Sequence, residues 1–411
     1  MIRKLMFATL ALAVVVGTFG FTAVSPAQGQ SMAAASPLLL ATPTRVAATQ
    51  TPDGPVGPDT FPVGVNPLTG LEVKNPENLT LPPALVSITN FPPSARPQAG
   101  LSYSPIVFEM YIGEGMSRFL ALFYGDYPQE AVNNPNANPN IVDAQIGPIR
   151  SGRLPYEHLR SLYNGFLVMA SAYKTVAENL NAVTNIFGND NDDINSAMIN
   201  VNQLKEVAQN SSKQLPGVNA LSGQMFDPQP PANGKPGNMI WLPYNYLNQI
   251  IWRYDLQSGA YNRWQDNIDG KTFTVFTDRL NGEVLTYENV VILFATHHAY
   301  AETLIDVDLS YIDRGKALLF RDGQMYEIYW TTKNGEYERT TGRVRPIRFI
   351  DAEGNPVPLK PGQTWVEIVP PYVPYDEVVD STDYMQLKTQ KEPGSGNWAI
   401  HFTAPAIEPQ Q

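Results

Sequence analysis

Four arginines and two glutamates stand close together in a stretch that is otherwise mostly apolar: Arg96, Arg118, Arg150 and Arg153, with Glu109 and Glu114. Only 16% of the 411-residue chain is charged, so the grouping stands out. Buried charge must be paired or put to use. The run Ile149-Arg-Ser-Gly-Arg153 lies between a proline-marked strand end and a proline-started helix. Strand-to-helix corners are frequent ligand seats in α/β folds. Backbone N–H groups at a helix start attract anions, and guanidinium forks hold phosphate or carboxylate. Arg150, Ser151 and Arg153 are therefore candidate anion-binding residues, together with Arg96 and Arg118. A second reading keeps the same arginines as structural ion pairs with Glu109, Glu114 and nearby carboxylates.

Pleat parity bears on that choice. Glu109 sits in a run that is apolar on both sides. A three-residue turn at Gly113-Glu-Gly115 places Phe119 opposite Glu109 and sends Arg118 to the other face. A four-residue turn sets Glu109 against Arg118. Under the first register Glu109 must find Arg96, Arg150 or Arg153.

Other chemistry is poorly represented. The chain has no cysteine, which removes disulfides, thiolate catalysis and cysteine-ligated metals. It has four histidines, too few for a histidine-rich metal site. His297 and His298 are adjacent on a strand and should face opposite ways. Asp190-Asn-Asp-Asp193 lacks the glycine and terminal glutamate of a calcium loop and reads as a polar loop. Ser151 and Ser171 lack a Gly-x-Ser-x-Gly turn, and nothing in the sequence marks an acid for His158. No catalytic residue, metal or cofactor is assigned. The net charge of −11, with no basic run, argues against nucleic acid as a partner.

These side chains need elements to hold them. Residues 1–29 read as an export segment: Arg3 and Lys4, then an apolar run, then small residues at Ser25-Pro-Ala27 and Ala27-Gln-Gly29. The uncharged run is about 20 residues, also long enough for an uncleaved anchor. Either way the rest lies outside the cytoplasmic membrane. Residues 30–65 are a Pro/Thr/Ala-rich linker. Residues 66–222 form a mixed α/β domain. It has strands at 84–89, 106–112, 116–124 and 166–170, a helix at 155–164 and helical spacing at 173–187. Asn133–Asn140 reads as an exposed loop. Residues 223–238 form a second linker, and 239–374 a mainly antiparallel β domain. Its clearest signal is a hairpin of 316–321 and 324–330 around Asp322-Gly323. Residues 375–411 read as a loose tail. The fold class is α+β. Trp241, Trp252, Tyr254, Tyr261, Trp264, Tyr329 and Trp330 serve either as core or as sugar platforms.

Several of these segments recur together in one family. Asn66-Pro-Leu-Thr-Gly-Leu71, Ser94-Ala-Arg-Pro-Gln-Ala-Gly-Leu-Ser102, Phe108-Glu109, Ser117-Arg-Phe-Leu-Ala121 and Ile146-Gly-Pro-Ile-Arg-Ser-Gly-Arg153 resemble the YerB-like family of bacterial envelope lipoproteins. Tyr261-Asn-Arg, Asn289-Val-Val-Ile, Gly315-Lys-Ala-Leu-Leu-Phe and Pro361-Gly-Gln-Thr-Trp-Val-Glu-Ile-Val-Pro370 resemble its C-terminal domain. The resemblance spans 66–372 and implies a two-domain extracytoplasmic protein of undefined role. Two departures count. The lipobox cysteine is missing, which speaks against lipid anchoring. The family's His-Ala-Gly-Gly-Ser-like segment corresponds to Met169-Ala-Ser-Ala-Tyr173, so a histidine is absent there. The expectation is a non-catalytic binding module for cell-wall glycan or an envelope partner protein. The alternative is a binder or transferase of a phosphorylated, lipid-linked envelope precursor. Contact with the membrane is expected only through an uncleaved N-terminal segment.

Overall fold

Alternation along the strands decides how the two large sheets meet. The computed structural model describes residues 53–128, 144–188, 195–215 and 221–409. The export segment, most of the first linker, Asn133–Asn140 and Asp190–Asp193 lie outside the described residues.

The larger sheet uses β1 (Ala84–Thr89), β2 (Ile106–Gly113), β3 (Met116–Phe123), β4 (Phe166–Met169) and β5 (Val183–Asn185) from the first half. The second sheet uses β6 (Met239–Asn245), β7 (Asn248–Asp255), β8 (Ala260–Asp266) and β9 (Phe273–Val275). The chain then returns to the larger sheet with β10 (Asn289–Phe294). A separate ribbon follows, β11 (His297–Ala301) and β12 (Leu304–Val307). Next come β13 (Gly315–Arg321), β14 (Gln324–Thr331), β15 (Arg348–Ile350) and β16 (Thr364–Val369) of the larger sheet, then β17 (Tyr375–Glu377) and β18 (Asn397–Ile400) of the second. The larger sheet runs β15-β14-β13-β10-β16-β2-β3-β1-β4-β5 and the second β9-β8-β7-β6-β18-β17, each with one short extra strand. The fold is α+β and mainly β.

Strands from both halves of the sequence therefore share one sheet. The join is β2 beside β16, parallel, with Glu109 level with Glu367. Val107 and Tyr111 of β2, Phe119 and Ala121 of β3 and Trp365 of β16 pack against Ile240, Ile250, Trp252 and Tyr261 of the second sheet. Ile106, Phe108, Met110, Leu120 and Leu122 turn to the opposite face and meet α1 (Pro155–Leu162). This helix starts on proline, whose missing N–H costs nothing at that position. Its Pro155, Tyr156, Leu159 and Leu162 are spaced to make one buried stripe.

The β13–β14 hairpin forms around Asp322-Gly323 as its sequence requires. Three expectations are corrected. Residues 173–187 do not form a helix throughout; Lys174–Ala177 makes one helical turn and β5 follows. Residues 223–238 are knitted into the fold: Met225–Phe226 pairs with Pro358–Leu359, and Lys235–Pro236 pairs with the start of β14. The tail is ordered through most of its length. β18 lies between β6 and β17 with all four residues buried, and a helix at Tyr384–Thr389 is capped by the Asp383 carboxylate. A four-residue strand that pairs parallel with a distant partner carries almost no local signal.

Candidate functional site

Three parallel strands, β1, β4 and β5, end side by side. The segment 148–152 runs along those ends. Pro148 accepts from the Thr89 N–H, the Arg150 N–H donates to Ser87, the Ala170 N–H donates to Arg150, and the Gly152 N–H donates to Ser171. Arg118, near the start of β3, pairs with Thr89 at the same end of β1. Its Nη1 donates to the Ser151 carbonyl at 3.2 Å. The corner thus collects Arg118, Arg150, Ser151 and Arg153, with the buried Tyr156 hydroxyl 3.1 Å from Ser87 Oγ.

Charge is unbalanced here. Arg118 is only 4% exposed. Arg150 and Arg153 are half-buried. Among the described residues no carboxylate lies within ion-pair distance of any of the three. The Nε of each is buried without a hydrogen-bond partner. Burial, then the proximity of Arg153 and Arg150, pulls Arg118 down to about 9, with the Tyr156 hydroxyl acting the other way. Burial also lowers Arg150 and Arg153, and Arg150 lowers Arg153 further. The first turn of α1 adds little: the N–H groups of Tyr156 and Glu157 are taken by Arg153 and Leu154. Guanidinium groups, rather than a helix end, supply the positive potential.

Glu109 lies elsewhere. β2 and β3 take the register with Phe119 opposite Glu109, so Arg118 and Glu109 leave opposite faces. Gly113 takes a φ of +102°, which favours glycine, and a Cβ there would overlap the Glu302 carbonyl oxygen. Glu109 pairs with none of the four arginines named from sequence. Its partner is Arg263 of β8, Nη2 to Oε2 2.9 Å, both side chains fully buried. Ser117 Oγ and Asn90 Nδ2 donate to the other oxygen, at 2.6 and 3.2 Å. Gln265 accepts from Arg263 at 2.7 Å. The guanidinium carbon sits 4.9–5.2 Å from the ring centres of Phe276, Trp365 and Phe119, an aromatic box for a buried cation. Glu367 lies beside Glu109 and accepts from Trp252 Nε1 at 3.1 Å and the Tyr244 hydroxyl at 3.0 Å. Burial first, then Glu109, pushes its carboxyl well above the ordinary carboxylate range, against the opposing pull of Arg263. Sequence reasoning missed Arg263 and Glu367. The available signal was parity: Tyr261, Arg263 and Gln265 fall on one face of a strand.

The remaining candidates disperse. Arg96 donates to the backbone carbonyls of Asn90 and Asp266 at 3.2 Å each and lines a cleft of about 210 Å³ with Gln265 and Phe276. Glu114, at the hairpin tip, borders a different cleft of about 290 Å³ with Tyr111 and Glu302. His297 is half-buried and pulled down to about 4 by desolvation, while His298 bonds Asp308 and Glu408. His158 does have an acid after all: Asp306 lies 3.6 Å from Nε2, and Ser310 Oγ lies 3.0 Å from Nδ1. Asp306 is the main cause raising its pKa, which favours the charged imidazolium that ties α1 to β12. Of the seven aromatics offered as sugar platforms, Trp241, Trp252, Tyr261 and Trp330 are interior.

Comparison with known proteins matches both halves. Residues 68–214 match the N-terminal domain, and residues 240–366 the C-terminal domain, of a protein family of unknown function, DUF3048. The chain belongs to this two-domain, YerB-like family. It is 28% identical over 331 residues to a Bacillus subtilis (strain 168) protein named "Putative lipoprotein YerB", covering 76% of this chain and 88% of that one. The crystal structure of YerB from Bacillus subtilis is similar at a TM-score of 0.55 and 25% identity, over 74% of this chain and 96% of that chain. Ser171 adopts φ +64°, a left-handed conformation that glycine takes more readily.

Proposed function

We propose that this chain is a non-catalytic binding protein of the bacterial envelope, working outside the cytoplasmic membrane, and that it holds an anionic envelope component at the corner formed by Arg118, Arg150 and Arg153. The observation that carries the reading is the set of three neighbouring guanidinium groups, one buried and two half-buried, with no carboxylate in reach among the described residues. Such a cluster is costly when empty and is relieved by a bound anion. Its place at the ends of three parallel strands fits where open α/β sheets seat ligands. The name of the Bacillus subtilis relative supports the envelope setting. A glycan platform on the second half has less support, because its largest aromatic side chains are core.

Co-sedimentation with purified cell-wall sacculi tests the reading, using sacculi that keep their anionic polymers and sacculi stripped of them. Binding is expected only to the first. It should be lost in Arg150→Gln/Arg153→Gln, whose circular dichroism should be unchanged. Binding that ignores both the stripping and the substitutions overturns the proposal.

A further inference from the structure

We infer that the ligand of the arginine corner is a phosphate monoester or diphosphate. Its phosphoryl end points inward to Arg118, and its organic part leaves past Tyr173 and Phe187. The inference rests on the corner being an anion site, and adds what kind of anion it takes and which way round it lies.

Charge stoichiometry is the first argument. Three guanidinium groups converge without a described counter-carboxylate. A single carboxylate leaves two positive charges uncompensated, whereas a phosphate ester brings a charge of about −1.5 to −2 and three acceptor oxygens. Arg118 and its neighbours Arg150 and Arg153 act on one another electrostatically, so the three charges are close enough to share one multivalent anion. Arginine also matches the geometry of phosphate oxygens in a bidentate way.

Depth is the second argument. Arg118 is buried and Arg150 and Arg153 half-buried, so the site has an inner and an outer end. Beside the outer end lie the residues that follow β4 and the first described residues after β5. Ser171 lies just after β4, where it accepts from the Gly152 N–H, and its own N–H donates to Asn185 of β5 at 3.1 Å. Within two residues of this junction stand Tyr173, 73% exposed, and Phe187, 69% exposed. Two exposed aromatic residues next to a cationic corner suit a ligand with an anionic head and a body that can pack on a ring. A sugar phosphate and a prenyl phosphate share this chemistry.

Isothermal titration calorimetry on the chain from residue 30 onward tests the inference. The probes are acetate, sulfate, inorganic phosphate, glucose 1-phosphate and geranyl phosphate, each at pH 5 and pH 7.5. Both phosphate esters should bind at least about tenfold tighter than acetate, as expected for charge-assisted bonds to arginine. Their affinity should rise between the two pH values as the second phosphate proton, with a pKa of about 6, is lost. Sulfate, already doubly charged, should stay flat. The ester that binds tighter identifies the body the rim accepts. For that ester, Tyr173→Ala or Phe187→Ala should weaken binding by about three- to tenfold, the range of an aromatic contact, and leave inorganic phosphate unchanged. Both positions are exposed, so folding is not at stake. If no anion binds, sulfate included, the corner is not an anion site and the underlying reading fails. If sulfate and phosphate bind but acetate equals them, or if neither aromatic substitution affects either ester, the corner stands and this inference is overturned.

Discussion

Arg118 is held at about 9 by burial and by its neighbouring arginines, and the sign of that shift matters. Its folded-state pKa lies below the ordinary 12.5, so the fold disfavours the charged form. The cost is fully present at neutral pH and is relieved as pH rises through about 9. Anion binding runs the other way, because it needs the proton. Sulfate affinity should therefore be flat from pH 7 to 8 and fall as pH passes about 9, which calorimetry at stepped pH would reveal; constant affinity up to pH 10.5 would show that Arg118 keeps its proton in the folded chain. Arg118→Met should raise the anion-free melting temperature, by the equivalent of roughly 1 kcal/mol or more, and abolish stabilisation by sulfate. The Glu109–Arg263 pair behaves oppositely. Glu109→Gln leaves a buried guanidinium unpaired and should cost about 3–5 kcal/mol in urea unfolding. Glu367→Gln should cost little, since the raised pKa of Glu367 means that the fold prefers its neutral form. The wild type's advantage from this group is complete below about pH 4.5, the ordinary value. It is lost as pH rises, so Glu367→Gln should gain on the wild type between pH 5 and 8. Equal pH slopes in the two proteins would contradict this assignment.

At the scale of elements, β18 shows how a short strand can matter. It fills the gap between β6 and β17, and Trp398 Nε1 donates to the Pro236 carbonyl at 2.8 Å. Truncation after Pro374 removes β17, β18 and the buried Leu387, and exposes the edge of β6. The truncated chain should be insoluble or should lose its cooperative melting transition; a soluble product with the full-length melting temperature would show that the tail is dispensable. Legibility in sequence follows the range of the interaction. The β13–β14 hairpin could be read because a two-residue turn joins two strand-like runs. The strands at 84–89 and 106–112 and the start of α1 were visible from apolar runs and a proline. The register of β2 on β3 stayed open because glycines at both ends of the turn permit either parity. The tail strand was invisible because its partner is distant in sequence. The arginine corner was half visible: Arg150, Ser151 and Arg153 are local, and Arg118 joins them only through the pairing of β3 with β1. Arg96, Glu109 and Glu114 looked like members of the same cluster because they are near in sequence, yet strand parity and loop course carry them away.

For the whole molecule, the parallel join of β2 to β16 makes one sheet from both family segments, and the Glu109–Arg263 pair ties that sheet to the second. The polar network at the join is enclosed, and its charges meet one another: Glu109 takes Arg263, Ser117 and Asn90, which suits a structural role. The arginine corner lies on the opposite face of the larger sheet, where three guanidinium groups have no carboxylate within ion-pair distance among the described residues. Sequence neighbours have thus been sorted into one structural centre and one candidate binding centre. The most direct test of this division is a crystal structure of the chain from residue 30 onward soaked with tungstate, an anomalous scatterer that mimics a tetrahedral dianion. The account predicts one strong anomalous peak within hydrogen-bond distance of Arg118, Arg150 and Arg153. Its contradiction would be a corner without a peak, its three guanidinium groups each paired to carboxylates of the chain.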